Sequence, residues 1–412
     1  MLFLILELLG IIYIIYRYKN AKEQQLNFWG NPNFFLFFLS IFYLIHPCYF
    51  YYQEIFRLII YDEKIINSVY YWCTYYYIIF FIFYILSTDK PLLFSDYKLI
   101  HISKLANHLI IFILSVCFII LSLIILYGTR NINGGISRVE KYEVYEKIIK
   151  IGGFSLLVWI VITWSFVMSM LSKKWYYLLF MLPLVYLEFI CSSRFYIFVF
   201  IIAALLFRIN IIKKTINVLY FSVFSVFFFL IGILRETFSG SNIISLYITS
   251  FGEFINTWTS IGLILSDKIR FDASPVFVFV QRLIPEPFSG FIFGSKLNYT
   301  DKISDMHNFG FGLGSSVITE GVVYGTLFAI LLPILIGLIY LALNNYSKKN
   351  TISGMLICFF MTVNTFSIFR GSSIINISSY IMIFFLIYKF PYFILKYFDL
   401  IKVEDMISEC EE

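Results

Sequence analysis

Charge is what this chain has least of. Of its 412 residues, 14% are Asp, Glu, Lys or Arg and 60% are hydrophobic, with a mean hydropathy of +0.85. A soluble protein of that length needs far more charged surface, so most of the chain is expected to face lipid or other buried segments. Length alone would suggest two or three soluble domains, and here it suggests a helical membrane domain instead. Cysteine is also sparse. The six cysteines (Cys48, Cys73, Cys117, Cys191, Cys358, Cys410) are scattered, mostly inside apolar runs. No CxxC or Cys/His spacing occurs, which argues against structural zinc and a disulfide framework. The net charge of +6 is spread over short loops and lacks the concentrated basic face that nucleic acid requires. The opening MLFLILELLGIIYIIYRYKN has no basic leading region and no small-residue cleavage site, so it reads as an uncleaved first span.

What the chain does have is apolar runs, and many aromatic rings, 49 Phe and 32 Tyr, some of which suit the headgroup level. Runs of spanning or nearly spanning length lie near 2–16, 33–50, 69–86, 107–127, 148–171, 175–190, 195–210, 216–234, 317–341, 351–369 and 372–390. That predicts an all-α, polytopic membrane protein with about eleven transmembrane helices. Three parts and a tail follow: helices over 1–234, one large external loop over 235–316, helices over 317–390, and a cytoplasmic tail over 391–412. With the N-terminus outside, the inner loops hold Arg17, Lys19, Lys22, Lys173, Lys174, Lys213 and Lys214 among others. In all, the inner loops hold about twice the basic residues of the short outer ones, which places the N-terminus out and the C-terminus in. The 235–316 loop is half apolar and interrupted by Pro275, Pro285 and Pro287. It is expected to form interfacial helices or re-entrant segments over a cavity.

Four arginines fall on the predicted outer face: Arg194, Arg235, Arg282 and Arg370. A single one is an ordinary snorkelling anchor. Four together, on the side where basic anchors are not expected, suit a phosphate group held by guanidinium forks. Glu188 ends its span six residues before Arg194 and needs either an arginine partner or a site role. The stretch SDMHNFGFGLGSSVITEGVVYGTLF (304–328) carries His307, Asn308 and Glu320 around a glycine loop. It is not a nucleotide loop: no strand precedes it, the spacing is not GxGxxG, and no Lys-Ser/Thr follows. His307, one of four histidines, can accept or polarise a hydroxyl proton. A glycine loop folding back would bring Glu320 to it. Gly321 and Gly325 read as a GxxxG-type packing face.

Three features together resemble the Wzy-type O-antigen and capsule repeat-unit polymerases and the related WaaL-type O-antigen ligases. They are Ser193–Arg194 opening a span, His307–Asn308 followed by the Glu320 EGVVYG segment, and FRG at 369–371. The layout covers nearly the whole chain, although Glu320 followed directly by Gly321 is a loose match to the family's E-x-G-x-x-G. The resemblance implies a GT-C-like, metal-independent glycosyltransferase without a cofactor in the bacterial inner membrane. Its donor would be a glycan on undecaprenyl diphosphate and its acceptor another lipid-linked repeat unit. Arg194, Arg235, Arg282 and Arg370, with Asn308, would then bind the diphosphate and substrate, and His307 or Glu320 would act on the acceptor hydroxyl. A chain-length regulator and a flippase would be its partners, and nucleic acid would not. A ligase, or a flippase or transporter of lipid-linked oligosaccharides, stays open as the alternative.

Overall fold

The computed structural model describes residues 2–48, 62–91, 100–132, 138–191, 195–211, 258–266, 316–348, 351–370 and 373–403, with single positions between 277 and 292. The expected span at 216–234 and most of the 235–316 loop lie outside these residues. Nearly everything described is helical. The helices are α1 (Leu2–Glu23), α2 (Pro32–Ser40), α3 (Glu63–Leu86), α4 (Lys104–Thr129), α5 (Arg138–Ile149), α6 (Phe154–Ser172) and α7 (Leu182–Cys191). They continue with α8 (Phe195–Ile211), α9 (Val317–Val323), α10 (Thr326–Ser347), α11 (Ile352–Arg370), α12 (Ser373–Ile383) and α13 (Phe390–Tyr397). Among the described residues, 6 helical stretches are long and apolar enough to cross a membrane: Glu63–Leu86, Lys104–Thr129, Phe154–Ser172, Thr326–Ser347, Ile352–Phe369 and Ile377–Tyr397. Pro32–Cys48, Trp175–Cys191 and Phe195–Ile211 are shorter apolar helices.

α4 shows why such a helix belongs in lipid. Ala106, Ile110, Leu114, Cys117, Leu121 and Ile125 are buried along one stripe. Leu105, Leu109, Phe112, Val116, Ile119, Leu123 and Leu126 are exposed on the other. Both stripes follow the three-and-four spacing of one helix face. A helix apolar all round with one side uncovered has hydrocarbon, not water, as its natural solvent.

The chain forms two compact units. The first holds Met1–Lys90, Thr215–Asn344 and Asn364–Ser379. Its core is aromatic: Phe37 stacks on Tyr84 at 5.3 Å and on Phe81 at 4.8 Å, and Phe80 meets Phe369 edge-on at 6.0 Å. Such offset and edge-on contacts add to the area the rings bury. Some polar groups inside it are paired with one another. The Tyr340 hydroxyl shares a hydrogen bond with Thr365 (3.1 Å) and accepts one from Asn364 (3.4 Å). α1 joins this unit along its length, and in its middle Tyr13 meets Phe81 edge-on at 5.2 Å and Tyr84 at 5.6 Å. Near the start, the Tyr77 hydroxyl donates to the Leu6 carbonyl (2.7 Å) and Glu7 pairs with His46 (3.2 Å). At the other end, Arg17 lies inside the helix and is buried, where the sequence places it in an inner loop; it pairs with Asp89 at 3.1 Å.

The second unit holds Pro91–Lys214, Asn345–Val363 and Tyr380–Glu412. α6 is its centre, buried on nearly every side from Val161 to Met170. Phe166 stacks on Phe359 at 4.5 Å, and Trp159 packs edge-on against Tyr380 at 5.2 Å. The last helix does not stop near residue 390. It passes through a π-helical turn at Phe384–Lys389 and runs on as α13 to Tyr397. Pro391 has no N–H for the carbonyl four residues back, that of Ile387, and Trp164 Nε1 donates to it at 2.9 Å. Beyond it, Ile401–Val403 pairs antiparallel with Ile100–Ile102.

Candidate functional site

Ser316 begins the site because it begins α9. Its hydroxyl accepts from the Thr319 backbone N–H, and the Thr319 hydroxyl accepts in return from the Ser316 backbone, both at 3.3 Å. This reciprocal capping box fixes the helix start within one turn. Glu320 follows at once and is 0% exposed. A carboxylate in the first turn of a helix is favoured by the unpaired N–H groups there, but full burial is costly unless polar groups surround it.

Three parts of the first unit meet around this first turn. Tyr324, one turn further along, donates to Glu320 Oε1 at 3.4 Å. Residues 258–265, inside the long loop, form a buried helical segment. Its Ser260 hydroxyl lies 3.1 Å from that of Thr319, and its Trp258 packs on Tyr70 at 5.4 Å. From α3, Tyr76 brings a fully buried hydroxyl against position 321, the residue next to Glu320.

Two glycines shape this corner in different ways. A Cβ on Gly321 would stand 2.4 Å from the Tyr76 hydroxyl and 3.0 Å from Ala329 Cα, so only glycine lets α9 approach so closely. Gly321 is the packing glycine the sequence suggests. Gly325 is not, which corrects the GxxxG reading: it has φ +105° and open space where a Cβ would be. That left-handed residue breaks the expected 317–341 helix into α9 and α10. Gly321→Ala is expected to lower stability by about 1–3 kcal/mol through overpacking, measured as thermal unfolding in detergent. Adding Tyr76→Phe removes the nearest clash and should restore part of the loss. A double variant no better than the single one would mean that the Ala329 backbone contact governs.

The second unit holds another buried carboxylate. Glu188 on α7 accepts from the Tyr145 hydroxyl of α5 at 2.8 Å. α5 is a charged helix carrying Arg138, Glu140, Lys141, Glu143, Glu146 and Lys147. The sequence looks to an arginine or a ligand for Glu188, and a phenol is one partner the structure supplies.

Of the residues singled out from sequence, Glu320 is described in full. Arg370 ends α11, with only its backbone described. Arg194, Arg235, Arg282, His307 and Asn308 lie outside the described residues. The structure adds Tyr76, Ser260, Thr319 and Tyr324. Tyr324 was legible four positions after Glu320, on the same helical face. Tyr76 and Ser260 come from distant segments and leave no local signal. The fold is that of a helical membrane protein. No protein-family model, curated protein or solved structure matches the chain.

Proposed function

We propose that this chain polymerises undecaprenyl-diphosphate-linked repeat units into a surface polysaccharide at the outer face of a bacterial inner membrane. The observation that carries the reading is Glu320: a fully buried carboxylate at the head of a short capped helix, inside the segment that resembles the polymerases. Burial in a membrane protein is a cost that function explains more readily than stability does. In the proposed reaction an acceptor sugar hydroxyl attacks the donor's anomeric carbon. The new glycosidic bond forms as the bond to the lipid diphosphate breaks. The hydroxyl proton passes to His307 or Glu320, and Arg194, Arg235, Arg282 and Arg370 stabilise the negative leaving group. Asn308 orients the substrate beside His307. The GT-C-like class, the N-out orientation and partnership with a flippase and chain-length regulator belong to the same proposal.

One observation favours a second reading. Transporters commonly place buried charges beside broken helices, and Glu320 lies next to the α9–α10 break at Gly325. Disrupting the coding sequence in a cell that makes the polysaccharide separates the readings. Loss of a polymerase leaves single repeat units on the carrier at the outer face. Loss of a transporter traps them at the inner face, and loss of a ligase leaves finished polymer on the carrier. Either of the last two results would overturn the polymerase reading.

A further inference from the structure

Tyr76 is harder to explain than Glu320. Its ring is well packed, edge-on to Phe80 at 6.1 Å and to Tyr75 at 6.0 Å. Its hydroxyl is 0% exposed and has no hydrogen-bond partner among the described residues. A buried hydroxyl without a partner loses its hydration and regains nothing, so phenylalanine would serve the packing better. The chain has made room for the hydroxyl all the same. It occupies the space where any side chain at position 321 would begin. The adjacent residue is Glu320, whose ionised carboxylate can only accept hydrogen bonds, whereas a phenol can donate one.

We propose that Tyr76 and Glu320 together hold one hydroxyl group of the ligand, Tyr76 donating to its oxygen and Glu320 accepting its proton. An alcohol both donates and accepts, and is the simplest group that satisfies the two residues at once. This inference rests on the polymerase reading only for the identity of that alcohol, a sugar hydroxyl of the lipid-linked repeat unit. The joint at Gly325, with φ +105° between α9 and α10, gives α9 a place to swing and admit it. A hydroxyl kept buried for a ligand is an instance of stability given up at a site of function.

The test compares wild type, Tyr76→Phe and Tyr76→Ala as purified full-length protein in liposomes. Two readouts are taken: thermal unfolding, and kcat/KM for lengthening undecaprenyl-diphosphate-linked repeat units. Tyr76→Phe is expected to unfold at the same or a higher temperature and yet to lose about 10- to 100-fold in kcat/KM, the range for one hydrogen bond to a polar ligand. Tyr76→Ala should lose both. A Tyr76→Phe protein with full activity overturns the proposal, as does one that unfolds at lower temperature in step with its lost activity. If wild type itself lengthens nothing, the polymerase reading has failed, and equilibrium binding of the same lipid-linked unit decides the role of Tyr76. Weaker binding by about 10-fold or more in Tyr76→Phe then supports it, and equal binding overturns it.

Discussion

Glu320→Gln is expected to reduce polymer formation by about 10²- to 10⁴-fold, the usual contribution of a positioned acid or base, with the protein still inserted. The substitution suits the site because it changes little else. Glutamine has nearly the same shape, still accepts from Tyr324 (3.4 Å in the native pair), and keeps the Ser316–Thr319 capping box untouched. It also spares the site a buried charge, so stability should hold or rise. What it loses is the ability to take a proton. If His307 is the base instead, Glu320→Gln will be mild and His307→Ala severe, and comparing the two assigns the step. Arg194→Ala, Arg235→Ala and Arg370→Ala should each abolish long chains by a different route, weakening stabilisation of the departing diphosphate. Cells carrying these single changes and still making long polymer would contradict the site assignment. The measurement is the length distribution of surface glycan, with membrane abundance as the control.

The largest stability effect belongs to a cluster with no part in that chemistry. Arg17 Nε and Nη2 pair with both Asp89 oxygens at 3.1 Å. Nη2 also donates to the Ser87 carbonyl at 2.6 Å, Nη1 donates to the Tyr84 carbonyl, and the guanidinium lies over the Tyr84 ring at 4.4 Å. Asn31 Nδ2 completes the group, donating to Asp89 at 2.8 Å and to the Ser87 hydroxyl at 2.9 Å. The side chains of Arg17 and Asp89 are only 10% and 4% exposed. Arg17→Met takes the counter-charge from a buried carboxylate and a donor from each of two helix-end carbonyls, so it should cost about 3–5 kcal/mol. Asp89→Leu should cost a similar amount by stranding the guanidinium. The double variant removes both charges and should recover part of the loss, leaving the carbonyls as the remainder. Thermal unfolding in detergent reads all three. Single variants within about 1 kcal/mol of wild type would show that the pair is effectively solvated.

Much of the helical layout can be read from hydropathy. A run such as 107–127 has nowhere to go but lipid or core, and the structure extends it only to Lys104–Thr129. Helix ends and breaks are less legible. Arg17 and Lys19 look like the first residues of a loop because charge usually marks a membrane exit. The helix continues because Asp89, 72 positions away, neutralises Arg17. Residues 317–341 look like one span because nothing in GVVYG distinguishes a packing glycine from one at φ +105°. Only the neighbours, Tyr76 and Ala329 for Gly321 and open space for Gly325, tell them apart. The site divides the same way. Glu320 stands out as a lone carboxylate in an apolar helix, and Tyr324 follows by helical spacing. Tyr76 and Ser260 reach the site through tertiary contacts alone, and in a chain with 32 Tyr no single one stands out.

Reconstitution tests the central proposal most directly. Purified protein in liposomes, given undecaprenyl-diphosphate-linked repeat units and no nucleotide sugar, should produce a ladder of glycans differing by whole repeats. Undecaprenyl diphosphate should be released once per bond formed. Repeat units that cross the bilayer without lengthening would contradict the proposal and identify a transporter instead.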